Sequence, residues 1–131
     1  MATVDVRPEA PPRKHPAVSD LALWTSVLSG PVVFLLNLEV SYVMVGWACD
    51  ASNAWALHLV HLVSLAAVVA GTLLGVALWR RVGRSWPDPD GTADSRSRLL
   101  AALGTLGGVT FAVSIVAQWI TVMVLGACPR S

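Results

Sequence analysis

The sequence predicts an all-α membrane protein with three transmembrane helices. Of its 131 residues, 55% are hydrophobic and only 13% are charged, against about 25% charged in a typical soluble domain. The apolar residues form three separate blocks, each longer than the roughly 18 residues needed to cross the hydrocarbon core as a helix. Helices are the expected spanning form because each one satisfies its own backbone in lipid, and the alternating segments of a transmembrane barrel are absent.

The predicted helices belong to one membrane domain that covers residues 21–128. They span about residues 21–46, 54–79 and 98–126. Ser19 and Asp20 are candidate N-caps for the first helix. Pro31 lies inside that helix and predicts a kink, because proline lacks the N–H that a helical hydrogen bond requires.

Two segments outside the helices have the composition of irregular structure. Residues 1–20 contain four prolines among charged residues and are predicted to be disordered. Residues 81–97 form the loop between the second and third helices, and their prolines and glycine are typical of turns.

The distribution of positive charge predicts the orientation. Eight of the nine Lys and Arg residues lie either before the first helix or between the second and third, and only Arg130 lies elsewhere. Since cytoplasmic segments carry an excess of Lys and Arg, the N-terminus and the 81–97 loop are predicted to be cytoplasmic and the C-terminus to be outside. The first apolar run is too long for the core of a cleaved signal peptide, so we expect it to be retained.

The tryptophans support these helix ends. Trp24 and Trp79 fall at the predicted cytoplasmic ends, and Trp47 and Trp55 fall at the external ends. Indole rings favour the headgroup region, where the ring is buried and its N–H is hydrated. Trp119 lies deeper in the third helix and is not explained in this way.

Two cysteines are predicted to form a disulfide. Cys49 follows the first helix and Cys128 follows the third, which places both at the external ends of their helices. Neighbouring helices pack about 8–10 Å apart, so the two sulfurs can meet, and an external compartment favours oxidation. The alternative is a pair of free thiols at separate corners of the bundle.

Small residues recur at the same depth in all three predicted helices. They form the small-xxx-small pairs Ser26 and Gly30, Gly71 and Gly75, and Gly104 and Gly108. Such pairs allow helix backbones to approach closely in lipid. We therefore predict that the helices pack through these faces, although glycine is also generally common in membrane helices.

A layer of polar residues is predicted in the external half of the membrane. Its members are Asn37, Glu39, His58, His61 and Gln118, at depths of roughly 5–13 Å below the external surface. At 100° per residue, three of them (Asn37, His61 and Gln118) fall on the small-residue sides of their helices. These three are predicted to be hydrogen-bond partners between helices.

Glu39 has a different direction from the rest of this layer. It lies about 160° from Asn37 on an ideal helix and shares its side with Tyr42. A charged group in a helix centre costs about 2.5–3.5 kcal/mol on insertion scales. The sequence leaves three solutions open, namely a neutral carboxyl, a pair with His58, or contact with a partner protein.

The sequence contains little that indicates a cofactor or catalysis. His58 and His61 are spaced i, i+3, and with Glu39 they would form a set of two histidines and one carboxylate. Such a set is the basis of an alternative in which the chain binds a transition metal or haem. Nucleophile-elbow, phosphate-loop, HExxH and CxxC motifs are absent, so we expect neither a resident cofactor nor an enzyme.

Several positions together resemble a known kind of protein. They are Trp24, Gly30-Pro31, Tyr42, Trp47-Ala48-Cys49, Arg80-Arg81, Gln118 and Cys128. This pattern covers most of residues 21–128 and resembles small uncharacterised bacterial inner-membrane proteins with three helices. Those proteins are often associated with respiratory gene sets that contain haem-copper oxidase components. The resemblance implies a multi-pass protein of the bacterial inner membrane with an accessory or assembly role.

The sequence therefore favours a non-enzymatic small subunit or assembly factor of a membrane complex of the respiratory kind. Its expected partners are the lipid bilayer and other membrane-protein subunits, with no nucleic acid and no small-molecule substrate. One alternative is a homo-oligomeric proton-coupled transporter that uses Glu39. The other is the metal- or haem-binding protein that uses His58 and His61.

The charge distribution yields a test of topology. Single cysteines placed at Lys14 and Arg84 should be protected from a membrane-impermeant thiol reagent in intact cells, and a reporter fused to the C-terminus should be active only outside. A C-terminal reporter that is active in the cytoplasm would contradict the three-helix topology.

Overall fold

A computed structural model describes residues 18–87, 89, 91–126 and 128. These residues form three α-helices and no strand. The helices are α1 (Asp20–Asp50), α2 (Trp55–Arg81) and α3 (Ala93–Leu125). All three are long and apolar enough to cross a membrane, which confirms the predicted fold class. Of the segment 1–20 that was predicted to be disordered, residues 1–17 lie outside the described residues, as does Arg130. The prediction was wrong at the end of that segment, because Asp20 is the first residue of α1 and Ser19 is its cap.

Side chains cap the first turns of α1 and α3. The Ser19 hydroxyl accepts a hydrogen bond from the Ala22 N–H at 3.3 Å, as the sequence predicted. Thr92 Oγ1 accepts one from the Ser95 N–H, also at 3.3 Å. Because of this cap, α3 begins at Ala93 instead of residue 98, and the loop from α2 covers only 82–92.

The end of α1 also differs from its predicted position. The helix continues past Gly46 to Asp50, and the Ala51 N–H still bonds to the Trp47 carbonyl at 2.9 Å. Pro31 lies inside α1, and the helix continues through it without interruption. Since Pro31 precedes both Asn37 and Glu39, it does not alter the direction of one relative to the other.

The two ends of the bundle differ in chemistry. At one end, here called the disulfide end, Cys49 and Cys128 form the predicted disulfide, with their Cα atoms 5.5 Å apart. At the opposite end, here called the arginine end, α2 finishes on Arg80 and Arg81. There the Arg98 side chain donates a hydrogen bond to the Val82 carbonyl at 3.1 Å and so ties α3 to the end of α2.

The small residues pack as predicted, each glycine lying against a neighbouring helix. A Cβ added at Gly104 would lie 2.6 Å from Ser26 Oγ. One added at Gly75 would lie 3.1 Å from the Thr105 backbone nitrogen. The remaining close approaches are Gly71 to Ser29, Gly108 to Thr72, and Gly30 to Phe111.

The hydroxyl groups in these contacts are satisfied within their own helices. Ser26 donates to the Leu23 carbonyl at 2.8 Å, Thr72 to the Val68 carbonyl at 2.8 Å, and Thr105 to the Ala101 carbonyl at 2.9 Å. Each hydroxyl therefore fills the space above a glycine without leaving an unpaired polar atom. This arrangement brings the three backbones close together at no hydrogen-bonding cost.

A matched pair of glycines tests this packing. Gly104→Ala should lower the free energy of unfolding by about 1–3 kcal/mol, because the new methyl group collides with Ser26. Gly107→Ala should leave that free energy unchanged or raise it by up to about 1 kcal/mol, since no atom lies within 4 Å of its Cβ position. Unfolding in mixed micelles, followed by circular dichroism, measures both, and equal losses would contradict the packing.

Candidate functional site: the intramembrane polar layer

Asn37 on α1 and Gln118 on α3 meet inside the bundle. Asn37 Nδ2 donates a hydrogen bond to Gln118 Oε1 at 2.9 Å. Asn37 is buried, with only 1% of its surface exposed, because it lies on the face of α1 that carries Ser26 and Gly30. The sequence predicted this contact between helices, and the structure contains it.

His61 also points inward but bonds within its own helix. Its side chain is 2% exposed, and Nδ1 donates to the Leu57 carbonyl at 2.8 Å. Nδ1 is the ring nitrogen nearer to the backbone, so it can reach the carbonyl of the residue one turn earlier in α2. The predicted role of His61 as an interhelical partner of Gln118 is therefore replaced by a bond inside α2.

One hydrogen bond between α2 and α3 was not predicted. Trp119 Nε1 donates to His58 Nδ1 at 2.8 Å, and the two rings are tilted with centroids 6.4 Å apart. Because Nδ1 accepts, the proton of the His58 ring is on Nε2. The signal in the sequence was the depth of Trp119, since an indole N–H too deep for the headgroups needs an acceptor at its own level.

Glu39 lies on the outside of the bundle. Its neighbours on the same side of α1 are exposed as well, Leu35 at 59% and Tyr42 at 84%. Within the described ranges, Glu39 has neither a hydrogen bond nor an ion pair. The predicted direction of Glu39 is thus confirmed, and the pair with His58 does not form because α1 turns the carboxyl away from α2.

The residues proposed as metal ligands are not brought together. The part of the chain that the structure describes contains no group of three or more His, Cys, Asp or Glu side chains able to hold a metal ion. Glu39 faces outward, and His58 Nδ1 is occupied by Trp119. The metal or haem alternative therefore lacks the three-ligand set on which it rested.

A groove runs along the outer side of the bundle between α1 and α2. Its volume is about 390 Å³. Seven of its nine lining residues are apolar, and the two polar ones are Asn37 and Ser64. Its walls are formed by Val33, Leu36 and Val40 of α1 and Leu59, Val60, Val63 and Ala67 of α2.

Both polar residues of the groove have unused hydrogen-bonding capacity. Asn37 Oδ1 is buried and has no hydrogen-bond partner. The Ser64 hydroxyl makes no hydrogen bond to any residue that the structure describes, in contrast to Ser26 and Thr72. Because Asn37 Oδ1 is enclosed within the bundle, the Ser64 hydroxyl is the polar group that the groove presents on an otherwise apolar wall.

Comparison of the chain with protein-family models, with curated proteins and with solved structures found no match. The fold and the site define a three-helix membrane protein closed by a disulfide and held by an intramembrane polar layer. The resemblance to small bacterial inner-membrane proteins stays an expectation from the sequence.

The Asn37–Gln118 bond can be tested with a double-mutant cycle. Gln118→Leu should lower the free energy of unfolding by about 1–3 kcal/mol, since it leaves both polar ends of the buried Asn37 unpaired. The double variant Asn37→Leu, Gln118→Leu should be closer to the parent, because it removes both partners. Unfolding in mixed micelles gives all four values, and strictly additive losses would contradict the bond.

Proposed function

We propose that the chain is a non-enzymatic small subunit or assembly factor of a membrane complex, and that it binds protein through the outer side of α1. The observation that carries this proposal is Glu39, an ionisable residue that faces away from the bundle and has no partner in the described chain. The respiratory character of the complex is supported by the sequence resemblance alone.

The depth of Glu39 favours a protein surface over lipid. The residue lies 11 positions before the end of α1 at Asp50, which is about 16 Å along the helix axis. A glutamate side chain is too short to reach the headgroups from there, and acyl chains offer it no hydrogen bond. A carboxyl in hydrocarbon is normally paired or faces other protein. Protein that covers this side of α1 would supply those partners.

The neighbours of Glu39 support the same surface. Tyr42 is 84% exposed and carries a second polar group on this side of α1. Leu35 and Val43, at 59% and 72% exposed, provide apolar area beside the two polar groups. A large aromatic residue with apolar neighbours and a few polar groups is typical of protein interfaces.

A second candidate function is the homo-oligomeric proton-coupled transporter. It is favoured by the same residue, because intramembrane carboxyl groups serve as proton sites in transporters. The two functions differ in their response to Glu39→Gln, which keeps hydrogen-bonding groups and removes the titratable proton. Proton flux into proteoliposomes that Glu39→Gln abolishes would favour transport. A parent without proton flux, together with a Glu39→Gln variant that inserts normally but associates more weakly, would favour the subunit.

Photo-crosslinking in native membranes tests the proposed interface. A photoreactive amino acid at Tyr42 should give crosslinked protein products, whereas the same probe at Val113, which is 64% exposed on α3, should give only lipid adducts. Glu39→Leu should remove the Tyr42 products, because it removes every polar contact of the carboxyl. Tyr42 products that are unchanged by Glu39→Leu, or equal products from both positions, would contradict the proposal.

A further inference from the structure

The outer side of α1 carries exposed residues at the spacing of a contact between two helices. They alternate steps of four and three residues along the helix, and every one of them is exposed. We call this set the outer stripe; its members are Leu21, Thr25, Leu28, Val32, Leu35, Glu39, Tyr42 and Gly46. Residues at this spacing stay on one side of a helix that crosses a second helix at about 20°. The outer stripe is about 38 Å long, enough to contact a whole transmembrane helix.

Glu39 distinguishes the outer stripe from the other exposed faces of the bundle. It is the one acidic residue between residues 21 and 49, and the sequence has none in 51–87 or after Asp94. Exposed apolar residues of α2 and α3, such as Leu62 and Val113, are solvated by lipid acyl chains. A carboxyl is not. Whatever covers the outer stripe therefore has to provide a polar group at the level of Glu39.

A basic side chain is the complement of this carboxyl in hydrocarbon. Acidic and basic residues are each costly alone in the membrane, and they pair there with one another. Opposite charges also attract more strongly in a medium of low dielectric constant than in water. The pair does not depend on where the shared proton lies, because an ammonium donates to a carboxylate and a carboxylic acid donates to an amine.

A second copy of the chain does not supply this base. Copies inserted in the same orientation keep each residue at its own depth, and the sequence has no Lys or Arg in 15–79 or in 99–129. His58 is about 5 Å from the disulfide end of α2, whereas Glu39 is about 16 Å from the same end of α1. His61 is buried inside the bundle. The base therefore has to come from a different protein.

We infer that the partner at Glu39 is a different membrane protein, which packs one transmembrane helix along the outer stripe and places a lysine or arginine level with Glu39. Gly46 allows that helix to approach closely, since no atom lies within 4 Å of its Cβ position. The inference rests on the proposed function and adds the chemistry of the partner.

A synthetic transmembrane peptide probes this site. The peptide consists of leucine and alanine, with one lysine placed to lie at the depth of Glu39. Energy transfer between the labelled peptide and the purified full chain in lipid nanodiscs measures binding. The lysine peptide should bind at least about tenfold more tightly than peptides with leucine or glutamate at that position. Because the parent chain is used throughout, misfolding of a variant cannot produce this difference.

Exchange of the charges tests the pair directly. Glu39→Lys should lose the lysine peptide and bind the glutamate peptide instead. Glu39→Gln should bind the lysine peptide roughly tenfold more weakly than the parent does. Each variant is checked for helical circular dichroism and for an intact Cys49–Cys128 bond.

A matched control separates the outer stripe from the carboxyl alone. The double variant Glu39→Leu, Val113→Glu moves the acid to the exposed side of α3, about 18 Å from the disulfide end. It should not regain the affinity of the parent for the lysine peptide, because the stripe is missing there. A photoreactive amino acid at Leu28 or Leu35 should attach to the bound peptide, and one at Val63, which is exposed on α2, should not.

Three outcomes would overturn the inference. They are equal binding of the lysine and leucine peptides by the parent, a folded Glu39→Lys variant that still prefers the lysine peptide, and a double variant that binds as tightly as the parent. Equal binding of the peptides together with Glu39-dependent protein crosslinks at Tyr42 in native membranes would leave the proposed function standing. Equal binding without those crosslinks would overturn both.

Discussion

Five glycines on the inner sides of the bundle lie where a Cβ would collide with or press against a neighbouring helix. Four of these glycines face a serine or a threonine, and Gly30 faces the ring of Phe111. In lipid there is no hydrophobic driving force between helices, so association depends on this close fit and on hydrogen bonds. The contacts at these glycines fix the register of the three helices. The depth of every other residue in the membrane follows from that register.

The hydrogen bonds between side chains of different helices are distributed unevenly. Asn37–Gln118 joins α1 to α3, and His58–Trp119 joins α2 to α3. Among the residues that the structure describes, no hydrogen bond between side chains joins α1 to α2. That seam is the one that opens into the groove, and it is where Asn37 and Ser64 keep unused hydrogen-bonding capacity. Helix α3 is thus the partner in both of these hydrogen bonds.

Helical periodicity accounts for the part of the structure that the sequence predicted. Depth and direction along a straight helix depend only on residue count, so the inward direction of Asn37, the outward direction of Glu39 and the glycine contacts follow from counting. The start of α3 did not follow, because Asp94 and Arg96 look like loop until Thr92 is recognised as their cap. The Trp119–His58 bond and the groove depend on how side chains fill the space between helices, and periodicity carries no information about that.

The position of the disulfide has a consequence for biogenesis. Cys49 lies in the last turn of α1, and Cys128 follows α3, so the covalent ring between them encloses the whole of α2 and the whole of α3. In the predicted orientation, with the N-terminus in the cytoplasm, the bond can form only after the last helix has been synthesised and has crossed the bilayer, since until then the two sulfurs are on different sides of the membrane. Oxidised protein is therefore a chemical record of complete insertion. A quality-control system that distinguishes thiols from a disulfide would separate finished chains from those stalled with two helices in place.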